Sequence, residues 1–326
     1  MASPDTRSNA LPLAMAGAAG ILMPLQALIT SNAALYLGGY LAAALFSSIT
    51  SLACLVVASL AIPAARAGWK RFGAVWRERT IPRWYVLAGL IGAYYMLAQA
   101  LSVGNIGLAL FAVAVVGART ISSILIDVIG FSPAGKQPIT RRRIIGAAIL
   151  VIGAVIAAWD PITHSGQSPA AVISLVLAVV AGLLVSFQQS MNGRAGQAYG
   201  STTTATGLNY LASSAGLIVA MSIAGLLHIE PFGYSAIPAW WMYFAGPLGI
   251  LFVVTGVTLV PKLGSLVLGI GLVTGQLLGS LILDLILSPE KVSGNEIAGT
   301  LVTLLAVFIA SWQPNGRPRW KAQRAS

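Results

Sequence analysis

Charge is what this chain has least of. Asp, Glu, Lys and Arg make up 8% of its 326 residues, where a soluble globular domain carries about 25%. A water-soluble fold of that size with so few charges would expose large apolar patches and aggregate. Cysteine is as scarce: Cys54 stands alone inside an apolar stretch, so neither an internal disulfide nor a cysteine metal cluster can form. The two histidines, His164 and His228, have no metal-ligand spacing, and the chain contains no HExxH, no GxSxG and no phosphate-binding glycine loop. These absences point away from an enzyme, a resident metal or cofactor, and a built-in ATP drive.

Apolar residues fill the space that charge leaves. They form 57% of the chain, and the mean hydropathy is +0.85. A lipid bilayer is the solvent that suits this composition. The formal net charge of +11 could serve nucleic acid, but the basic residues lie between apolar runs and form no polar face, so no nucleic-acid partner is expected. Their better use is orientation and contact with anionic lipid headgroups, about 1 kcal/mol per Lys or Arg near the surface.

Segments of roughly 20 apolar residues cross a hydrocarbon core. Ten are predicted, at 11–30, 41–62, 83–102, 105–126, 143–160, 170–190, 202–227, 239–260, 263–286 and 297–312. The first could be taken for a signal peptide because Arg7 precedes it, but it contains Pro24 and Gln26 and matches the sixth segment, so it reads as a retained helix. Ten crossings collect 17 of the 19 basic residues on one side; Lys291 is on the other and Arg119 lies within a segment. The positive-inside rule then makes both termini cytoplasmic.

The chain also repeats itself. Gly20, Gln26 and Gly38 recur as Gly182, Gln188 and Gly200, 162 residues later. Trp84, Gly89, Gly92, Gly107, Ser123 and Asp127 recur as Trp241, Gly246, Gly249, Gly264, Ser280 and Asp284 at a spacing of 157, and Gly146 and Trp159 as Gly299 and Trp312 at 153. The two steps place deletions in the second copy at the two basic loops of the first. Five crossings per copy is an odd number, so the copies enter the bilayer from opposite faces. The expected fold is an all-α integral membrane protein, ten transmembrane helices in two inverted five-helix repeats. Its parts are a cytoplasmic tail at 1–10, repeats at 11–160 and 161–312, and a basic cytoplasmic tail at 313–326.

Within the apolar segments a few polar residues stand out. Arg119 lies about seven positions, or roughly 11 Å, from its segment's cytoplasmic end at 126. A buried arginine costs about 2.5–3.5 kcal/mol on insertion scales, so it should face a polar cavity or a partner. Two roles fit: binding an anionic or zwitterionic group of a small solute, or a structural arginine bonded to carbonyls and side chains. Its repeat mate is Gln276. Gln26 and Gln188 are matched amides in the first helix of each repeat, with Asn192 near the second; they suit a solute or a bond between helices. Asn209, Tyr210, Tyr94, Tyr95 and Gln99 are further candidates of this kind. Asp127 and Asp284 are matched at segment ends and read as loop-fixing residues. No Asp or Glu occupies the middle of a segment, so no proton-coupling carboxylate is visible. Gly271, Gly275 and Gly279 form a small-residue ridge that favours close helix packing, within the chain or between protomers of a homodimer.

The second half reads AGLLVSFQQSMNGRAGQAYGS at 181–201, WWMYFAGPLGILFVV at 240–254 and GLVTGQLLGSLILD at 271–284. The first carries degenerate copies at 20–39 and 117–127. These motifs resemble the YdcZ-like branch of the drug/metabolite transporter superfamily. The resemblance implies an inner-membrane protein that moves small metabolites or xenobiotics, with two five-helix units fused in one chain. Related small multidrug transporters use a membrane glutamate for proton exchange; the first helices here offer Gln26 and Gln188, so that mechanism does not carry over. The combined expectation is a secondary transporter working by alternating access around a midplane cavity lined by Gln26, Arg119, Gln188 and Gln276. Its rival is a membrane scaffold whose polar residues only hold helices together.

The orientation has a direct check. A green fluorescent protein fused after Ser326 should fluoresce in a bacterial host, and alkaline phosphatase inserted at His164 should be active. The reverse pattern would overturn the assigned sidedness.

Overall fold

The computed structural model describes residues 6–131, 141–159, 169–227 and 236–311. Predicted features at His164, His228, Trp312, Lys136 and the 313–326 tail lie outside the described residues, as do the side chains of Arg142, Arg143 and Lys262. Among the described residues there is no strand. The helices are α1 (Thr6–Leu37), α2 (Tyr40–Ala61), α3 (Pro63–Glu78), α4 (Ala88–Ile106), α5 (Leu108–Ile129), α6 (Arg141–Ala157), α7 (Pro169–Tyr199), α8 (Thr202–Leu226), α9 (Ala245–Leu287) and α10 (Gly294–Ser311). Short 3-10 turns precede α4 (Arg83–Leu87), α9 (Trp240–Phe244) and α10 (Pro289–Lys291).

Seven described stretches are long and apolar enough to cross a membrane, and three shorter apolar helices (Ile144–Ala157, Trp240–Thr255 and Gly294–Val307) fall on the fifth, eighth and tenth predicted segments. Glycine sets the sharp turns. Gly38 and its repeat mate Gly200 both take left-handed backbone, at φ 77° and 67°, where the first helix of each repeat ends. A side chain is strained in that region.

α3 was not among the predicted segments. It is too polar to cross the bilayer, yet its stripe of Ala65, Gly68, Phe72 and Val75 follows helical periodicity. Val75 packs with Tyr199, Ala195, Ala205 and Leu208 of the second repeat, flanked by Trp69 and Phe72. Thr204 Oγ1 donates to the Ala65 carbonyl at 3.2 Å, and Trp69 Nε1 to Ser59 Oγ at 3.1 Å.

α9 is helical over 43 residues, which as a straight rod would run to about 65 Å, twice a hydrocarbon core. Its contacts with α1 exclude a rod. Ala245 packs with Ala33 and Ala34, Gly249 faces Gln26, and Leu259 packs with Ala16. From there the order turns back: Leu268 also packs with Ala16, Gly275 meets Gly17 and Gly20, and Gly279 meets Ile21. The chain direction therefore reverses between Leu259 and Leu268, leaving two antiparallel apolar segments where the sequence predicts its eighth and ninth.

The predicted glycine ridge is used inside the chain. Gly271, Gly275 and Gly279 lie against α1, so this face is covered and does not serve an interface between copies. Gly20 meets the backbone of Leu272, Gly275 and Gln276, while its mate Gly182 meets Val115, Ala118 and Arg119. These partner sets are themselves repeat mates, each 157 apart in sequence. Gly89 against Ala212 and Ser213, and Gly246 against Thr50 and Ser51, are matched in the same way, the partners here being 162 apart. The first helix of each repeat is thus docked on the fourth helix of the other.

A Cβ at residue 182 would collide with backbone. Gly182→Val should cost at least about 1–3 kcal/mol and lower the melting temperature of the purified protein in detergent. Gly73→Ala, in open space on α3, should leave it unchanged or slightly raised.

Candidate functional site

At the centre of the helix array is a small cavity lined by Met23, Pro24 and Ala27 of α1, Tyr95 and Gln99 of α4, Leu108, Phe111 and Ala112 of α5, and Gln276 of α9. Its volume is about 10 Å³, room for about one water molecule. Pro24 has no N–H to give the carbonyl of Gly20, and Gly20 lies directly against the backbone of α9. Tyr95 stacks edge-on against Phe111 with ring centroids 6.2 Å apart. Its ring also lies within electrostatic reach of Arg119 and Tyr210.

The four polar residues expected around one cavity are not gathered there. Only Gln276 lines it. Gln188 Nε2 donates to Asn209 Oδ1 at 3.1 Å, so those two candidates are joined to each other. Gln26 is buried with its amide against Gly249, while Gln188 stands against Gly92, the repeat mate of Gly249. The two amides therefore hold matched places against matched glycines. Asn192 is half-buried one turn beyond Gln188. Gln99, a lesser candidate, is buried and lines the cavity. The physical reason for the dispersal is rotation: each amide turns toward a glycine gap on a neighbouring helix, where it packs closely.

Arg119 has a partner that the sequence reading left unassigned. Its Nη2 donates to Gln189 Oε1 at 2.8 Å, and its carbonyl accepts from Ser186 Oγ at 3.0 Å. The side chain is half-buried and Gln189 is exposed. The guanidinium thus reaches from α5 to α7, from one repeat to the other, with donors to spare.

Both ends of α5, the helix that carries Arg119, are held by the second repeat. At the N-terminus, Gly107 adopts φ 79°. There Asp284 Oδ2 accepts from the Ala109 amide at 2.7 Å and Glu296 Oε1 from the Leu110 amide at 3.1 Å. At the C-terminus, Arg194 Nη2 donates to the Gly130 carbonyl at 2.7 Å, its Nη1 reaches Tyr85 Oη at 3.3 Å, and the guanidinium sits 4.9 Å from the Phe131 ring centroid. Carboxylates at a helix start and a guanidinium at its end both complement the helix dipole. The expected loop-fixing role of Asp284 is visible here. Glu296 was missed; its signal is Ser293-x-x-Glu296 ahead of an apolar run, a capping box in which Ser293 Oγ accepts from the Glu296 amide at 3.1 Å.

Residues 11–156 and 173–309 match a family model described as "Putative inner membrane exporter, YdcZ". The chain belongs to this family. It is a multi-pass inner-membrane transporter of the exporter kind, and its family is one of transporters and not of enzymes. The match has two parts, one over each copy of the repeat. No curated protein matches the chain.

The clamp on α5 predicts a graded response in this YdcZ-family protein. Asp284→Leu strips the Ala109 amide of its acceptor and should destabilise by about 1–3 kcal/mol. Asp284→Asn, which keeps an acceptor, should cost less; unfolding in detergent followed by circular dichroism measures both.

Proposed function

We propose that the chain is a ten-span secondary transporter built from inverted repeats at 11–160 and 161–312, with both termini cytoplasmic. It exports a small metabolite or xenobiotic by alternating access, and its cargo carries an anionic or zwitterionic group. The observation that carries this reading is the matched cross-docking of the repeats. Gly20 on Leu272–Gln276 and Gly182 on Val115–Arg119 are equivalent contacts made by equivalent residues. α1 runs parallel to the later part of α9, as its contacts with Gly271, Gly275 and Gly279 advance together. With helices alternating in direction, that order supports inverted repeats.

A cavity of about 10 Å³ holds no metabolite, so the conformation is read as closed on both faces. The two clamps on α5 are then the gates: Asp284 and Glu296 on the outer side, Arg194 on the inner. Releasing one clamp at a time would open Tyr95, Gln99 and Gln276 to one side of the bilayer. Arg119 would exchange Gln189 for an acidic group of the cargo. Gln26, Gln188, Asn192 and Asn209 would come within reach as the repeats rock. A scaffold without transport is the second reading, and the Gln188–Asn209 and Arg119–Gln189 bonds favour it because they engage the amides with one another.

Thermal stabilisation of purified protein against a metabolite panel separates the two, since a ligand at 100 times its Kd adds about 2.7 kcal/mol. Anionic ligands should stabilise the wild type and not Arg119→Gln. Cationic ligands that stabilise both proteins alike would remove Arg119 from the site. Silence across the panel, with Arg119→Gln folded but much less stable, would favour the scaffold.

A further inference from the structure

α3 breaks the symmetry between the repeats. The repeat spacing falls from 162 between Gly38 and Gly200 to 157 between Trp84 and Trp241, so the first copy has five residues that the second lacks. α3 lies in the stretch that contains those extra residues. The second copy's counterpart, 227–240, contains no Lys or Arg at all. The first copy therefore carries a run of basic residues that the corresponding stretch of the second copy lacks.

The helix has little freedom of position. It begins at Pro63, two residues after the apolar α2 ends at Ala61, and the chain re-enters apolar structure at Arg83. Its underside is fastened to the α7–α8 turn. A Cβ on Gly68 would meet Thr204 and Ser201, Gly207 lies against the Trp69 ring, and Thr204 bonds the Ala65 carbonyl. Both α7 and α8 are long enough to span a membrane and are joined at this turn. Tethered at both ends and docked on the end of a helical hairpin, α3 is placed where an interfacial helix would be.

Its outward face is cationic. Arg66, Lys70, Arg71, Arg77, Arg79 and Arg83 are all exposed, with Glu78 as the one acid in the stretch 62–83. Exposed aromatics border them: Trp76 and Trp84 are 40% and 51% accessible. The Arg83 guanidinium lies 5.2 Å from the Trp76 ring centroid. Tryptophan beside arginine and lysine at the end of apolar helices is the arrangement that suits a headgroup layer. A soluble acidic partner would need no aromatic rim at bilayer depth.

We infer that α3 and the turn after it form a docking surface for anionic phospholipid headgroups, confined to one leaflet. Arg66, Lys70 and Arg77 are the residues to test, since Arg71 approaches Gly200 and Arg83 is spent on Trp76. The surface also bridges the repeats, since α3 belongs to the first by sequence and packs on the second. Lipid held there binds a joint between the two halves. The inference needs only the membrane location and is independent of what is transported.

The test uses the full chain reconstituted in mixed vesicles of phosphatidylcholine and phosphatidylglycerol, one of the two brominated. Quenching is assigned to Trp76 as the difference between wild type and Trp76→Phe. Wild type should show about tenfold or greater preference for phosphatidylglycerol at this tryptophan. Arg66→Gln/Lys70→Gln/Arg77→Gln should bring the two lipids to near parity, and Arg141→Gln, an exposed arginine outside α3, should leave the preference intact. Equal quenching by both lipids in the wild type overturns the inference without any variant. So does a preference that survives the triple substitution, or one abolished by inorganic phosphate at millimolar concentration, which would mark a free-anion site.

Discussion

Close backbone approach between the repeats is the constraint on which the rest of the structure depends. Water is absent from a bilayer core, so apolar burial gives helices no reason to prefer each other over lipid. Dense packing must replace it, and packing is densest where glycine removes the Cβ. Gly20 and Gly275 bring α1 onto α9; Gly182 brings α7 onto α5. Gly153 and Gly299 do the same for α6 and α10. Because all three contacts join one repeat to the other, neither repeat can complete its own interior alone.

That cross-docking places Arg119. Gly182 stands against the Val115–Arg119 turn, so the guanidinium emerges beside α7 and finds Gln189. The same docking brings Asp284, Glu296 and Arg194 of the second repeat to the two ends of α5. Neutral serines link the second helices of the repeats, Ser48 and Ser214 at 2.8 Å. Charged side chains are instead used at the two ends of α5. Symmetry is broken there too: the repeat mate of Arg194 is Asn32, and that of Glu296 is Arg143.

Legibility in the sequence followed the range of the physics involved. The apolar segments, the repeat spacing and the place of Asp284 at a segment end depend on local composition or on the repeat, and they could be read directly; that the Asp284 carboxylate caps α5 could not. The basic residues of α3 mask its apolar stripe, which is nonetheless local and readable. The gathering of Gln26, Arg119, Gln188 and Gln276 around one cavity was not readable, because it depends on how far each helix is rotated. A rotation of one residue position, 100° on a helix, is enough to exchange a cavity for a glycine gap. Tyr95 and Gln99, weaker by pattern, line the cavity because α4 presents that face to Pro24.

The sequence by itself determined the solvent and the duplication. The transfer free energy of each side chain is a local property, and repeated spacing survives in the chain whatever its fold. Tertiary structure alone decided that each first helix docks on the opposite repeat, that α9 doubles back near Ala16, and that Glu296 reaches the Leu110 amide from 186 residues away. Such contacts arise from the crossing geometry of helices remote in sequence, and no local preference encodes which polar groups that geometry will bring together.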